Sequence, residues 1–345
     1  MIGSAPGRLD LLGGVADYSG ALVLETPTRC RTTVTATPAD TLVVGPARLD
    51  VDGSMDAGTL VDFPRWTHYL LGVAIVLVRH GVIEPPRVEL TVESDVPVSV
   101  GVSSSAALEV ATARALGAGE LDPLHLAALC QEAENHLVGA PCGIMDQVTV
   151  ALGSPGEVLP ILCRPASVRA PVPLDGREVV GWPTGAEHDV SGAPYARARA
   201  AAFMGRRMLD GEGWISGLAA DAVATLPDEL DGAAFLDRWG DHDDELTTID
   251  PAESYPVRAA TAFGVEEHLR SEAFLAGAEP GPLMAASHAG YEAMGLGHPA
   301  ADAVVAAALD RPGVHGARSS GGGSGGTVVV LCDQGALDDV PGLIR

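Results

Sequence analysis

The sequence predicts an α+β fold in two domains, and three observations carry that prediction. At 345 residues the chain is long enough for two hydrophobic cores. Segments with the two-residue period of strands interleave with segments of helical period, instead of one class filling the chain. Residues 319–326 hold five glycines and three serines and open directly onto the apolar run 327–331. Side chains that small fill no core. Glycine does permit the positive φ values and close backbone approach that an anion-binding nest needs. A flexible linker is the competing reading of a Gly/Ser run. The charged entry at His315 and Arg318 and the buried-looking strand behind it favour a structured ligand loop.

In chain order, 9–24 reads as strand, turn, strand, and 32–37 and 41–51 alternate like half-buried strands. From Trp66 to His80 apolar residues recur at helical spacing, and Gly81 supplies the stop. The clearest strand is 87–93, with Val88, Leu90 and Val92 on one face and polar residues between them. A turn at 94–97 and a serine-rich loop lead into an alanine-rich helix over 104–118. Asp122 and Pro123 form a cap and a first-turn proline for a helix reaching about Val138. Residues 139–143 break it, and Ile144 begins another. The proline-rich strip 165–173 sets the expected boundary, giving domains 1–168 and 169–345. Beyond it, 196–209 and 300–309 read as helices before the glycine loop and its strand.

Composition excludes several functions. A net charge of −25 argues against nucleic acid and anionic membrane surfaces, which need basic protein surface. All 21 basic residues are arginine. Without lysine there is no Walker-type loop, no protein-kinase strand lysine and no Schiff-base chemistry. Any phosphate must be held by arginine, backbone amides, helix N-termini and metal. Five scattered cysteines without a paired spacing suit a reducing cytosol and offer no zinc site. The N-terminus lacks the pattern of a signal peptide, and the longest apolar run, 69–78, is too short to span a bilayer. A cytoplasmic protein, monomeric or homodimeric, is expected.

Four constellations carry chemistry. In 96–107 a glycine-serine loop meets a helix start, where free N–H groups and the dipole favour an anion; Ser103, Ser104 and Ser105 exceed what capping requires. Glu134 shares a helix face with Ala127, Cys130, Leu137 and Val138. A carboxylate there needs either a partner arginine or a cation such as magnesium, and both readings stand. Asp146 falls in the first turn of a helix, as a plain helix start or as a base accepting a hydroxyl proton. Arg8 is a candidate clamp for charge on a transferring phosphoryl group, and Asp17, after Gly13-Gly14, can accept hydrogen bonds from a sugar.

Together these segments resemble the GHMP small-molecule kinases. Residues Pro6 to Gly20 are similar to the family's first motif, Pro97 to Ala107 to the phosphate-binding second, and Gly316 to Gly326 to the third. Cys130 to His136 with Gly139 to Gln147 is similar to the galactokinase branch, and the form of the first motif looks closest to the kinase domain of plant L-arabinokinases. The resemblance continues through Ser191 to Tyr195 and covers nearly the whole chain. It implies the two-domain GHMP kinase fold, with an N-terminal domain like the second domain of ribosomal protein S5 and a ferredoxin-like C-terminal domain.

It also implies roles. Asp146 matches the catalytic aspartate, and Arg8 the arginine that steadies it and the γ-phosphate. Ser105 and Glu134 match Mg2+ ligands. Ser99, Gly101, Ser103 and Ser104 lie on the triphosphate loop, and Trp66 packs near the adenine of ATP. Asp17, Gly143 and Tyr195 match sugar contacts, beside Arg8 and Asp146. Galactokinases usually carry Glu-His where Gly14 and Val15 stand, which implies a roomier, less polar pocket; Ser99 replaces a usual glycine, and Glu187, beside His188, replaces an arginine. The implied activity is an ATP- and Mg2+-dependent sugar 1-kinase for L-arabinose or a galactose-like sugar. Alternatives are a kinase for an unusual heptose or octose, a catalytically inactive sugar and ATP sensor, and a decarboxylase of the mevalonate branch, which the 142–147 element disfavours.

Overall fold

The computed structural model describes residues 1–186 and 192–345. Glu187, His188 and Ser191, which the resemblance singled out, lie outside the described residues. Internal contacts divide the chain into two units. The first comprises Met1–Arg8, Pro27–Val98 and Val102–Pro155, the second Leu9–Thr26, Ser99–Gly101 and Gly156–Arg345.

Strands β1 (Ile2–Leu12) and β2 (Leu22–Pro38) contribute to both units. The first unit adds β3 (Leu42–Val44), β4 (Ala47–Leu49), α1 (Arg65–Arg79), β5 (Val88–Ser94), α2 (Ser104–Ala115), α3 (Pro123–Glu132) and α4 (Met145–Leu152). Strand β5 pairs antiparallel with β2, Val92 opposite Val34, and parallel with β3. The strand expected over 41–51 is a hairpin of two short strands, because Gly45 turns the chain at φ 55°. Val92 does not follow Leu90 inward and is 36% exposed.

Helix α1 buries Leu70, Leu71, Ile75 and Leu77 in one core with Leu90, Val110 and Leu126, and Gly81 follows it at φ 66°. The alanine content of α2 has a steric cause. A Cβ at Gly3 on β1 would lie 2.1 Å from the Ala111 carbonyl oxygen, so strand and helix meet backbone to backbone. Asp122 caps α3, its Oδ1 accepting from the Leu124 and His125 amides at 3.1 Å each. The expected continuous helix to Val138 instead widens after Glu132 into a π turn, Ala133–Val138, which Gly139 ends at φ 74°.

In the second unit a buried 3-10 turn, Gly14–Ser19, joins β1 to β2, whose first four residues pair with β6 (Glu157–Cys163). The short strands β7 (Ala166–Val168) and β8 (Val172–Pro173) also pair with β6. There follow β9 (Arg177–Pro183), α5 (Ala193–Met208), α6 (Ala220–Val223), β10 (Leu230–Asp231), α7 (Gly232–Trp239), β11 (Ser254–Tyr255), α8 (Val257–Leu275), α9 (Pro280–Ala293), α10 (Pro299–Leu309), β12 (Val314–Ser319) and β13 (Thr327–Asp333). Strand β13 is central in an antiparallel sheet between β12 and β9, and the Gly/Ser segment joins β12 to β13. Among the described residues no helix is long and apolar enough to cross a membrane.

Candidate active site

In the first unit Arg8 and Asp146, 138 residues apart, form a two-pronged ion pair: Nε donates to Oδ1 at 2.8 Å and Nη2 to Oδ2 at 3.0 Å. Strand β1 fixes Arg8, whose amide donates to the Val102 carbonyl at 3.1 Å. Asp146 lies in the first turn of α4, where the helix dipole favours a carboxylate. Arg8 is buried, whereas the Asp146 side chain keeps 21% exposure, so a small group can reach it. Ser103 adds a third hydrogen bond, its hydroxyl donating to Asp146 Oδ2.

That bond bears on the capping reading of the serines. Ser103 occupies the N-cap position of α2 in the left-handed region at φ 58°, and its side chain makes no cap hydrogen bond. The first-turn N–H groups of α2 are therefore left for another acceptor, which suits an anion. Ser104 and Ser105 are half-buried in that turn.

Glu134 projects from the π turn and is buried. Its partners are the Gln147 amide, which donates to Oε2 at 2.6 Å, the Ser105 hydroxyl and the Cys142 thiol, not the arginine that the structural reading required. Burial, then repulsion from Asp146, pushes its carboxyl up to about 7, against hydrogen bonds that act the other way. An oxygen donor set at a buried, negatively charged spot fits a hard divalent cation. Among the described residues no three His, Cys, Asp or Glu side chains converge as a metal cage.

The raised carboxyl has a signed consequence. Unfolded, Glu134 ionises near pH ~4.3. Between that pH and about 7 the folded state binds more protons, so metal-free stability falls as pH rises through this window. Thermal melts of metal-free protein at pH 5 and pH 8 are expected to show a smaller loss for Glu134→Gln than for wild type. An equal loss would contradict the assignment.

Trp66 stands in the first turn of α1, 48% exposed, with its ring against Gly45: a Cβ there would lie 2.9 Å from the indole. Gly143 is buried, one residue before the α4 N-cap Ile144.

In the second unit Asp17 is buried in the 3-10 turn and its carboxylate accepts the Tyr18 amide at 2.7 Å. Tyr195, in the first turn of α5, meets the Tyr18 ring edge-on at 6.1 Å. One turn along α5, Arg199 pairs with Asp244 through Nε and Nη2 at 2.8 Å each, and its guanidinium lies 5.3 Å from the Tyr18 ring centroid. Ser99 and Gly101 both take positive φ, 57° and 77°, and the Thr327 hydroxyl donates to the Val100 carbonyl between them at 2.7 Å.

Two expectations are corrected here. The room expected beside Gly14 is filled: a Cβ at Gly14 would lie 1.8 Å from the Tyr291 hydroxyl and 2.7 Å from Arg318 Nη2. That hydroxyl accepts the Val15 amide at 3.2 Å and donates to the Gly321 carbonyl, tying the turn to the glycine loop. Arg318, read as a charged entry to that loop, is fully buried and pairs with Asp10 at 3.1 Å. Sequence reasoning also passed over Glu109, a carboxylate buried on α2 four residues after Ser105, and gave Gln147 no role of its own. A glutamate at i+4 from a loop serine, on an otherwise alanine-lined helix, was the available signal.

Family models for the N-terminal and C-terminal domains of GHMP kinases match residues 68–154 and 272–341. A galactokinase of Chloroflexus aggregans is 33% identical, over 98% of this chain and 85% of its own length. The chain belongs to the GHMP kinases. As a GHMP kinase it is an ATP-dependent phosphotransferase with an alcohol group as acceptor. This GHMP kinase is also 31% identical to an L-arabinokinase of Arabidopsis thaliana, covering 96% of this chain and 42% of that protein, so it spans less than half the length of that relative. Among solved structures, Lactococcus lactis galactokinase complexed with galactose aligns with a TM-score of 0.78 at 22% identity, covering 98% of this chain and 87% of its own. The mevalonate kinase of Methanococcus jannaschii aligns at 0.61 and 16% identity, covering 98% and 92%. The two-domain α+β GHMP kinase fold read from the sequence is the fold of this GHMP kinase.

Proposed function

We propose that this kinase transfers the γ-phosphoryl group of ATP to the anomeric hydroxyl of a free monosaccharide, L-arabinose or a galactose-like sugar, giving a sugar 1-phosphate. The observation that carries the reading is the Asp146 carboxylate, clamped by Arg8 and Ser103 beside a helix start that no side chain caps. The galactokinase and L-arabinokinase relatives supply the sugar class.

In this reading the clamp holds one Asp146 rotamer, and its exposed edge aligns the acceptor hydroxyl and takes its proton. Arg8 offsets negative charge on the phosphoryl group as it moves. The first-turn N–H groups of α2 with Ser103 and Ser104, and in the second unit the positive-φ residues Ser99 and Gly101, take phosphate oxygens. Glu134 and Ser105 hold Mg2+, which when bound neutralises charge on the β- and γ-phosphates. Trp66 packs on adenine, and Asp17, Gly143 and Tyr195 contact the sugar. No ammonium group takes part, in keeping with a chain that has no lysine. The scattered spacing of the five cysteines fits a cytoplasmic setting.

A larger sugar drew its support from open space at Gly14, which Tyr291 occupies. The sensor reading has no use for an intact Arg8–Asp146 clamp. Purified protein incubated with ATP, Mg2+ and a panel of L-arabinose, galactose, glucuronic acid, heptoses and octoses is expected to release ADP with L-arabinose or galactose. Silence on every sugar would remove the assignment.

A further inference from the structure

Glu109 has no part in the reaction as described, yet it is 0% exposed in the first unit. Burial, then repulsion from Glu134, pushes its carboxyl well above the usual range against the Gln147 hydrogen bond, so packing alone gives no reason for an acid here. The guanidinium of Arg114, further along α2, is committed to the Ser4 and Ala151 carbonyls at 2.7 and 2.9 Å. Glu109 Oε2 accepts from Gln147 Nε2 at 3.2 Å, and its Oε1 is buried with no hydrogen-bond partner. The same Gln147 nitrogen donates to Glu134 Oε2 at 2.6 Å, and Gln147 Oε1 is also buried and unpartnered. The Gln147 side-chain nitrogen thus lies between two carboxyl groups and donates to both. Unpaired buried oxygens are rare in folded proteins, and here two of them belong to one short chain ending on the proposed cation ligand.

We propose that Glu109 is a positioning residue for the cation: through the Gln147 amide it fixes the Glu134 carboxylate without touching the ion. This rests on the reading of Glu134 as a cation ligand. Groups one step removed from a metal typically hold its ligands in place, and losing one weakens metal affinity by about 10- to 100-fold. A glutamate kept only for packing makes no such contribution.

The test is equilibrium titration with a non-hydrolysable ATP analogue, adenylyl imidodiphosphate, with and without Mn2+, on wild type, Glu109→Met and Gln147→Met. The quantity read is the enhancement of nucleotide affinity by Mn2+. It is expected to fall by about tenfold or more in both variants while metal-free affinity stays at the wild-type value. Gln147→Met cuts the link from its other end and decides the matter should Glu109→Met fail to fold. Wild-type enhancement in a folded variant overturns the proposal, whatever happens to thermal stability. Absence of enhancement in the wild type overturns the Glu134 reading itself, and the proposal with it.

Discussion

Replacing Asp146 by asparagine is expected to lower kcat by about 10²- to 10⁴-fold while ATP affinity is retained. The substitution preserves shape and removes charge. Arg8 places two donors on the carboxylate and Ser103 a third, and an asparagine has one acceptor oxygen for them. One guanidinium N–H must then face an NH2 group, so the fork opens and the edge offered to the acceptor hydroxyl turns. The α2 amides do not depend on this fork, which is why nucleotide binding survives. Steady-state rates beside equilibrium ATP titration separate the two effects. A variant that keeps the wild-type rate would take Asp146 out of the mechanism.

Asp244→Ala is expected to destabilise the second unit by roughly 3–5 kcal/mol, because it leaves the Arg199 guanidinium buried without its anion. Both side chains are nearly inaccessible, and water cannot take over the role of Asp244. The loss should reach the Tyr18 ring, which lies against Arg199, and through it the edge contact with Tyr195. The paired replacement Arg199→Met with Asp244→Leu is expected to recover most of the stability, since it removes both charges and restores volume. Thermal unfolding followed by circular dichroism compares the three proteins. A single variant as stable as the pair would show that Arg199 finds another anion.

What could be read from the sequence was local. Asp122 with Pro123 announced the start of α3, Gly81 the end of α1, and the serine-glycine loop the start of α2. Each signal sits within a few residues of its consequence. The Arg8–Asp146 pair spans 138 residues and came into view only through a family resemblance. Three features escaped entirely. Arg318 looked like a surface charge because its partner, Asp10, is 308 residues away. Gly14 looked like vacated space because the tyrosine filling it is in α9. The π turn that aims Glu134 carries no residue-level mark that periodicity could read. Long-range packing decides such features, and periodicity is blind to it.

The position of the phosphoryl group in the product tests the central claim most directly. Proton and phosphorus NMR of the product formed from ATP and L-arabinose or galactose is predicted to show coupling between phosphorus and the anomeric proton. Coupling to a proton on any other carbon would contradict the account.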